Sequence, residues 1–555
     1  MATTGAEWLA LSLAASGQTH VFFVDAVLRR TLLGLSAAGV KPVLAHTEKA
    51  AVYMADGYAR VSGRPGVVAA QSVGAANLAA GLQDAFLHRA PIVAMTGRKV
   101  PAHKHRNAYQ ELEHAPLFAP VTKLSADIAD AADLPRALRQ AFATAVAMPP
   151  RPVHLDLFGL QAEVIETGDV AAPPSDLSGF QVPMHRPEPD PAAIVAAAKA
   201  LLGAGRVAIV AGDAAALSGC GEELIAVAEA LSAPIATALG ARNIIDTRHP
   251  LHIGVAGAYA GPATNRILAD AELILFVGAD TGDMLTNYWR TPKPGSAIVQ
   301  IDADPGEFDR SYPATVAVQA DPRAGLRALA AALGKPARDG DYLAVAQATY
   351  AGWRAEWATR KTQPGSAIDP ADLGRAITEA LPEDGILVAD TGYSGIWTGN
   401  CIELTPRQTY LRAAGSLGWS FPAALGAKCA APDRAVVCWS GDGALYYHLA
   451  ELETARRRGI AVVLVVNNNS GFGQGWPNLV RNAGNRPDAA AELLRFGPTD
   501  FTAVARSFDL TGIRVEKPEE LVPALRRAIA AKETVVVDVV TDIEARAPAP
   551  WAPEN

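Results

Sequence analysis

Cysteine is scarce: four residues in 555, at Cys220, Cys401, Cys429 and Cys438, with no CxxC spacing. That density excludes a disulfide scaffold and a cysteine-based zinc module, and it fits a reducing compartment, the cytoplasm. Long apolar runs are also missing. The longest, such as IAVVLVV from Ile460 to Val466, are strand length, so the sequence is expected to have no membrane span. The first twenty residues lack a basic start and a long apolar stretch, and read as a capped amphipathic helix rather than a signal peptide. Neither charge sign dominates. Net charge is −8 with both signs scattered, which offers no basic groove for nucleic acid and no polybasic patch for a membrane. A GxGxxG dinucleotide fingerprint is absent from the middle of the chain, which disfavours a nicotinamide oxidoreductase.

What is present is an alternation of short apolar runs with Ala-rich helical stretches. HVFFV, GVVAA, PIVAMTG, PVHLDL, RVAIVAG, LILFVGA, AIVQIDA, GILVAD, RAVVCWSGDG, AVVLVVNNN and TVVVDVV are the clearest runs. Continuous apolar strands separated by helices predict α/β architecture, with doubly wound parallel sheets covered on both faces. Pro-rich sequence at 171–191 and 334–370, the latter containing helix-like YLAVAQATYAGWRAEWATR, divides the chain into expected domains at 1–170, 190–335 and 368–555.

One spacing carries chemistry. A strand ends in Gly441-Asp442-Gly443, a helix follows, and a second strand ends in Asn467-Asn468-Asn469, placing Asn469 27 residues after Asp442. Both ends belong at the carboxyl edge of one parallel sheet, where open α/β folds bind ligands. Asp442 offers an anionic oxygen, Asn469 an amide oxygen and Gly471 a backbone carbonyl, the hard donor set that Mg²⁺ takes alongside phosphate oxygens. Gly443 and Ala444 permit close approach of a diphosphate at a helix N-terminus. A Gly-Asp-Gly without this spacing would be read as a tight turn.

The same string resembles the thiamine-diphosphate (ThDP) binding motif of the acetolactate synthase-like superfamily. AHTEKAAVYMADGYAR resembles that family's HExxAxxxADGYAR motif, which implies that Glu48 is the glutamate acting on the aminopyrimidine; here Thr47 separates His46 from it. AAGSLGWSFPAALGAK resembles a further family stretch, implying that the Gly415 carbonyl meets the aminopyrimidine and that Leu417 bends the cofactor. The resemblance also implies cofactor contacts from Gly392, Tyr393, Phe472 and Gly473. NAYQELEHAPLFAPVTKLS resembles the FQE…KxS region, which implies Gln110 at the reacting centre with Lys123 nearby. Three domains in the order pyrimidine-binding, central and diphosphate-binding follow, with the cofactor sites between subunits of a homodimer or homotetramer. The implied chemistry is carbon–carbon cleavage or ligation, or decarboxylation, of a 2-keto acid, 2-hydroxyacyl-CoA or aldehyde through an enamine.

The sequence departs from the family in three places. The GARFDDR-like string reads GADTGDM, with Asp280 and Met284 at the arginine positions, which counts against FAD and against plain acetolactate synthesis. Phe22-Phe23-Val24-Asp25-Ala26 and Ser72-Val73-Gly74-Ala75 replace the usual FGxPG and SGPGA loops. The stretch GFGQGWPNLVRNAGNRPDAAAELLRFG, which takes in most of 474–500, reads as a substrate-facing flap in which Phe472 and Trp476 wall the pocket, and Arg481, Arg486 and Arg495 suit a phosphorylated or CoA-bearing partner. An FAD-containing oxidase of the pyruvate oxidase type and a non-catalytic ThDP-binding homologue are the alternatives.

Overall fold

The computed structural model describes residues 3–334 and 340–553. It contains three six-stranded sheets whose neighbouring strands all run parallel. From edge to edge, the first sheet runs Lys41–Leu44, His20–Phe23, Gly66–Ala70, Ile92–Arg98, Val153–Phe158 and Ser125–Ile128. Numbering its strands along the chain gives the order 2-1-3-4-6-5, and the third sheet, from Thr409–Arg412 to Thr511–Val515, repeats that order. The central sheet runs 3-2-1-4-5-6. Val67, Val93 and Leu155 are completely or almost completely buried within these strands, as two-sided packing requires. A short antiparallel pairing of Thr3–Thr4 with Asp169–Val170 ties the two ends of the first unit together.

The order of each sheet reverses between its first strand and the next strand on the other side, and this switch point is where α/β sheets open a crevice. In the first sheet it lies between His20–Phe23 and Gly66–Ala70; in the third it lies between Ile386–Ala389 and Val436–Gly441.

Helix Glu48–Ser62 of the first unit crosses helix Ser420–Ala430 of the third at very short range. Glycine makes this possible. A β-carbon at Gly57 would stand 2.0 Å from the Ala423 carbonyl oxygen, and one at Gly426 would stand 1.8 Å from that of Met54. Arg60 strengthens the crossing: it pairs with Asp56 at 2.6 Å, donates to the Arg412 carbonyl and lies over the Trp419 ring, whose indole N–H donates to Asp56. The helix-like stretch after position 340 is helix Asp341–Ala358, which packs through Tyr350 and Trp353 on the central unit.

Candidate active site

The third sheet's switch point gathers most of the expected diphosphate-binding residues. Strand Val436–Gly441 delivers Asp442 to the first position of a short helix, buried. Its Oδ1 accepts from Gly443 N–H at 2.7 Å and its Oδ2 from Gly471 N–H at 3.1 Å. Burial pushes this carboxyl up to about 6 despite those donors, because desolvation penalises the anion. Strand Val463–Asn468 delivers Asn469, whose Oδ1 is buried without a hydrogen-bond partner. A β-carbon at Gly443 would stand 2.5 Å from Phe472 Cε1, so Phe472 lies directly against the Gly-Asp-Gly turn. Gly473 sits between Asn469 and Tyr393, and Gly392, which precedes the helix of Tyr393, lies beside Gln474. Ala444 is buried in the same helix as Asp442.

Two buried carboxylates absent from the sequence reading hold the next loop. Asp390, at the end of strand Ile386–Ala389, accepts from the N–H groups of Thr391, Gly418 and Ser420 at 3.0–3.1 Å, and burial raises its pKa. Asp84, on helix Gly74–Leu87 of the first unit, accepts from the N–H groups of Ala414, Gly415 and Ser416 at 2.9–3.1 Å. Gly415 and Leu417 are thus pinned from both sides, one side in each domain. Asp390 had a signal, a carboxylate at the end of a recognisable strand. Asp84 had none, being one polar residue in the last turn of a helix.

In the first unit, Thr47 caps helix Glu48–Ser62 and Glu48 occupies its first position. Glu48 Oε2 accepts from Asn77 Nδ2 at 3.0 Å, and its Oε1 lies against Gly74. The neighbouring Ser72 hydroxyl donates to the Gln110 carbonyl at 2.6 Å, so one loop, Ser72–Gly74, touches both Glu48 and Gln110. Gln110 has a left-handed backbone, φ 58°, and its Oε1 is buried without a partner. Phe23 and Asp25 stand at the adjoining strand end, with Asp25 paired to Arg29. Among the described residues, no hydrogen bond joins Glu48 or Gln110 to the Asp442 cluster within one chain.

Three expectations are corrected. Lys123 does not reach the site: its Nζ donates to the carbonyls of Thr144, Ala147 and Pro149, closing the C-terminal end of helix Leu134–Val146. Trp476 does not wall a pocket. It is buried with Ala490 and Ile543 in the small core of the 474–500 segment, and its indole N–H donates to Glu544. Arg495 lies over the Trp476 ring and Arg486 donates to the Ala483 carbonyl, so two of the three flap arginines serve that segment's own packing.

In the central unit, Gly212 and Gly278 bring the two switch-point loops into contact, and Ala214 N–H donates to the Gly278 carbonyl. Asp280 there forms an ion pair with Arg89 of the first unit, which also meets Glu307 at 3.4 Å.

Two polar clusters, one carrying Glu48 and the other a buried Asp442/Asn469 oxygen set, thus stand beyond the carboxyl ends of strands in the first and third sheets of an α/β protein. Comparison with known proteins gives the class. The thiamine pyrophosphate enzyme N-terminal TPP binding domain matches residues 3–117, the central domain 194–329 and the C-terminal TPP binding domain 390–539. The chain belongs to the thiamine pyrophosphate enzyme family, within its acetolactate synthase-like group, and catalyses cleavage or formation of a carbon–carbon bond. It is similar to the acetolactate synthase large subunit of Corynebacterium glutamicum, 30% identical over 92% of this chain and 82% of that one. It is similar to the probable 2-ketoarginine decarboxylase of Pseudomonas aeruginosa, 32% identical over 93% and 90%. It also resembles the probable acetolactate synthase large subunit of Methanocaldococcus jannaschii, 28% identical over 97% and 92%. No helix among the described residues is long and apolar enough to cross a membrane.

Proposed function

We propose that the protein holds ThDP through Mg²⁺ and uses it to decarboxylate a 2-oxo acid or cleave a 2-hydroxyacyl compound, releasing the product by protonation or by addition to a carbonyl acceptor. The observation that carries this reading is the oxygen set at the third switch point. The Asp442 carboxylate and the unpartnered Asn469 Oδ1 lie at adjacent strand ends, with no side-chain cation among the described residues bonded to either. A hard cation fits that set, since a buried acceptor without a donor is costly until something satisfies it. Asp442, Asn469 and the Gly471 carbonyl would hold Mg²⁺. The turn from Gly441 to Ala444, with Gly392, Tyr393, Phe472 and Gly473, would take the diphosphate.

ThDP, when bound, supplies the carbanion chemistry and the electron sink. The chain supplies orientation and proton handling. Glu48 is fixed on one side by Asn77, leaving Oε1 for the aminopyrimidine. The Gly415 carbonyl and Leu417 would fix the ring from the other domain, their loop held by Asp84 and Asp390. Gln110 would meet the substrate with its free amide oxygen. Because no hydrogen bond among the described residues joins Glu48 to Asp442 within one chain, the complete site is assigned to a homodimer or homotetramer, each site drawing on two subunits.

The acceptor side favours decarboxylation or cleavage over acetolactate synthesis. Asp280 and Met284 stand at the arginine positions, and Asp280 neutralises Arg89 instead of facing an anion. The surrounding acidic set, with Asp302 and Glu307 also close to Arg89, opposes the diphosphate of a flavin in the central crevice.

Isothermal titration of ThDP, with and without Mg²⁺, beside an Asp442→Ala variant tests the cofactor. Binding that requires both Mg²⁺ and Asp442 is expected, and equal binding by the variant would overturn the assignment. Carbon dioxide release from pyruvate, branched and guanidino 2-oxo acids then tests the reaction.

A further inference from the structure

Beneath the contact between the Ser72 hydroxyl and the Gln110 carbonyl lies a buried polar chain that the cofactor site does not use. Thr96 on strand Ile92–Arg98, His154 and Asp156 on strand Val153–Phe158, and His114 are each at most 1% exposed. Thr96 and Asp156 are cross-strand neighbours, and His154 and Asp156 share one face of their strand. The His154 ring stacks on Phe118 at 3.6 Å.

Hydrogen-bond roles follow from the single proton each hydroxyl carries. Thr96 gives its proton to Asp156 Oδ1 at 2.8 Å, so it must accept from His154 Nε2 at 2.7 Å. His154 Nδ1 then accepts from the Ser125 hydroxyl at 2.9 Å. This is the arrangement of a neutral ring, the form that burial imposes by lowering the His154 pKa to about 3. Ser72 gives its proton to the Gln110 carbonyl at 2.6 Å. Every atom facing His114 is therefore an acceptor: Asp156 Oδ1 at 2.9 Å and Thr96 Oγ1 at 3.4 Å from Nδ1, the Ser72 carbonyl at 3.1 Å and its Oγ at 3.4 Å from Nε2.

A metal among His114, His154 and Asp156 does not fit. Their ligand atoms cluster within 4.8 Å, yet each already has a hydrogen-bond partner, and the Arg98 guanidinium stands 3.5 Å from Asp156 Oδ2. The charged and titratable groups around His114 are Asp156, His154 and Arg98, with Asp127 on the far side of Arg98.

We propose that His114, donating from both ring nitrogens, is the positioning residue that fastens the Ser72 backbone and, through the Ser72 hydroxyl, that of Gln110, and so presents the Gln110 amide to the substrate. Nδ1–H anchors the ring to Asp156, and Nε2–H holds the Ser72 carbonyl. The Ser72 hydroxyl holds the Gln110 carbonyl in turn, keeping Gln110 in the left-handed conformation that a residue with a β-carbon rarely adopts. The inference rests on the proposed substrate role of Gln110.

Two measurements on the full-length protein with ThDP and Mg²⁺ test it. Neutron diffraction is expected to show a deuteron on His114 Nε2 and another between Nδ1 and Asp156 Oδ1; an Nε2 without a deuteron would overturn the proposal. The second is a double-mutant cycle with the 2-oxo acid that the wild type turns over. Gln110→Ala and His114→Phe are each expected to lower kcat/KM at least tenfold, with ThDP affinity unchanged within threefold. The double variant should be no slower than Gln110→Ala, because His114 acts only through Gln110. Losses that multiply would overturn the inference while leaving Gln110 in the site. Wild-type turnover by Gln110→Ala would overturn the reading on which it rests. Ser72→Ala, which removes only the hydroxyl bond to the Gln110 carbonyl, replaces His114→Phe in the cycle if that variant does not fold.

Discussion

Replacing Asp84 with alanine removes a side chain that clamps the Gly415–Leu417 loop from the opposite domain. Three backbone donors, Ala414, Gly415 and Ser416 N–H, lose a carboxylate acceptor. A hydrogen bond to a charged group contributes roughly 1.5–3 kcal/mol. Gly415 is exposed, so water replaces part of the loss there. Arg60 keeps its pair with Asp56 and is not left as an unpaired buried charge. Counting only the two half-buried donors, Ala414 and Ser416, at the lower end of that range gives about 3 kcal/mol, shared between stability and cofactor binding. At domain size, if all of it falls on stability, this lowers the melting transition by roughly 6–12 °C. Each 1.4 kcal/mol that falls on binding weakens ThDP about tenfold. Asp84→Asn keeps one acceptor oxygen and should fall between alanine and wild type. Differential scanning calorimetry and ThDP titration of the three proteins supply the comparison. An alanine variant that melts and binds ThDP like the wild type would refute the account of this loop.

At the helix crossing, Gly426→Ala places a methyl group 1.8 Å from the Met54 carbonyl oxygen, so the helices must separate; overpacking of this kind costs about 1–3 kcal/mol, to be read from denaturant midpoints. Glu48→Ala should retain ThDP affinity within a few-fold and lose on the order of 10²-fold or more in kcat, the scale of a lost proton-transfer group. Asp302, buried with Oδ2 unpartnered, has its pKa raised by desolvation to about 6 from 3.8. Its folded state therefore binds more protons than the unfolded state between those values, and stability falls by up to about 3 kcal/mol as pH rises through that window. Asp302→Asn should melt higher than wild type at pH 7 and show no gain at pH 4; a gain independent of pH would refute the assignment.

The three parallel sheets were legible because each apolar run between helices marks a strand covered on both faces. The Asp442–Asn469 spacing was legible for a related reason. Chain order alone places both residues at carboxyl ends of strands, and the structure has those strands as neighbours, pairing Gly441 with Asn467. Side-chain direction was not legible. Trp476 and Lys123 look available in sequence, but one completes a small apolar core and the other closes a helix end. Asp84 and the His114–Asp156 pair were invisible because their partners lie 330 to 332 and 42 residues away. A local pattern carries no record of such contacts. The strand PVHLDLF did hold a trace of one, since two polar residues alternate with apolar ones in a strand buried on both faces.

The buried carboxylates around the third sheet's strand ends differ in what surrounds them, and the difference separates scaffold from site. Asp84 and Asp390 are each answered by three backbone N–H donors that fix a loop, a structural use of a buried anion. Asp442 also has backbone donors, but the next strand end brings Asn469 Oδ1, a second acceptor with no donor. Folding that oxygen into the interior beside an anion is unfavourable for the chain alone and becomes favourable once a cation binds both. On this reasoning Asn469→Ala should stabilise the cofactor-free protein, or leave it unchanged, while weakening Mg²⁺-dependent ThDP binding. An Asn469→Ala variant that loses stability without cofactor and binds ThDP normally would place Asn469 with Asp84 and Asp390 among the scaffold residues.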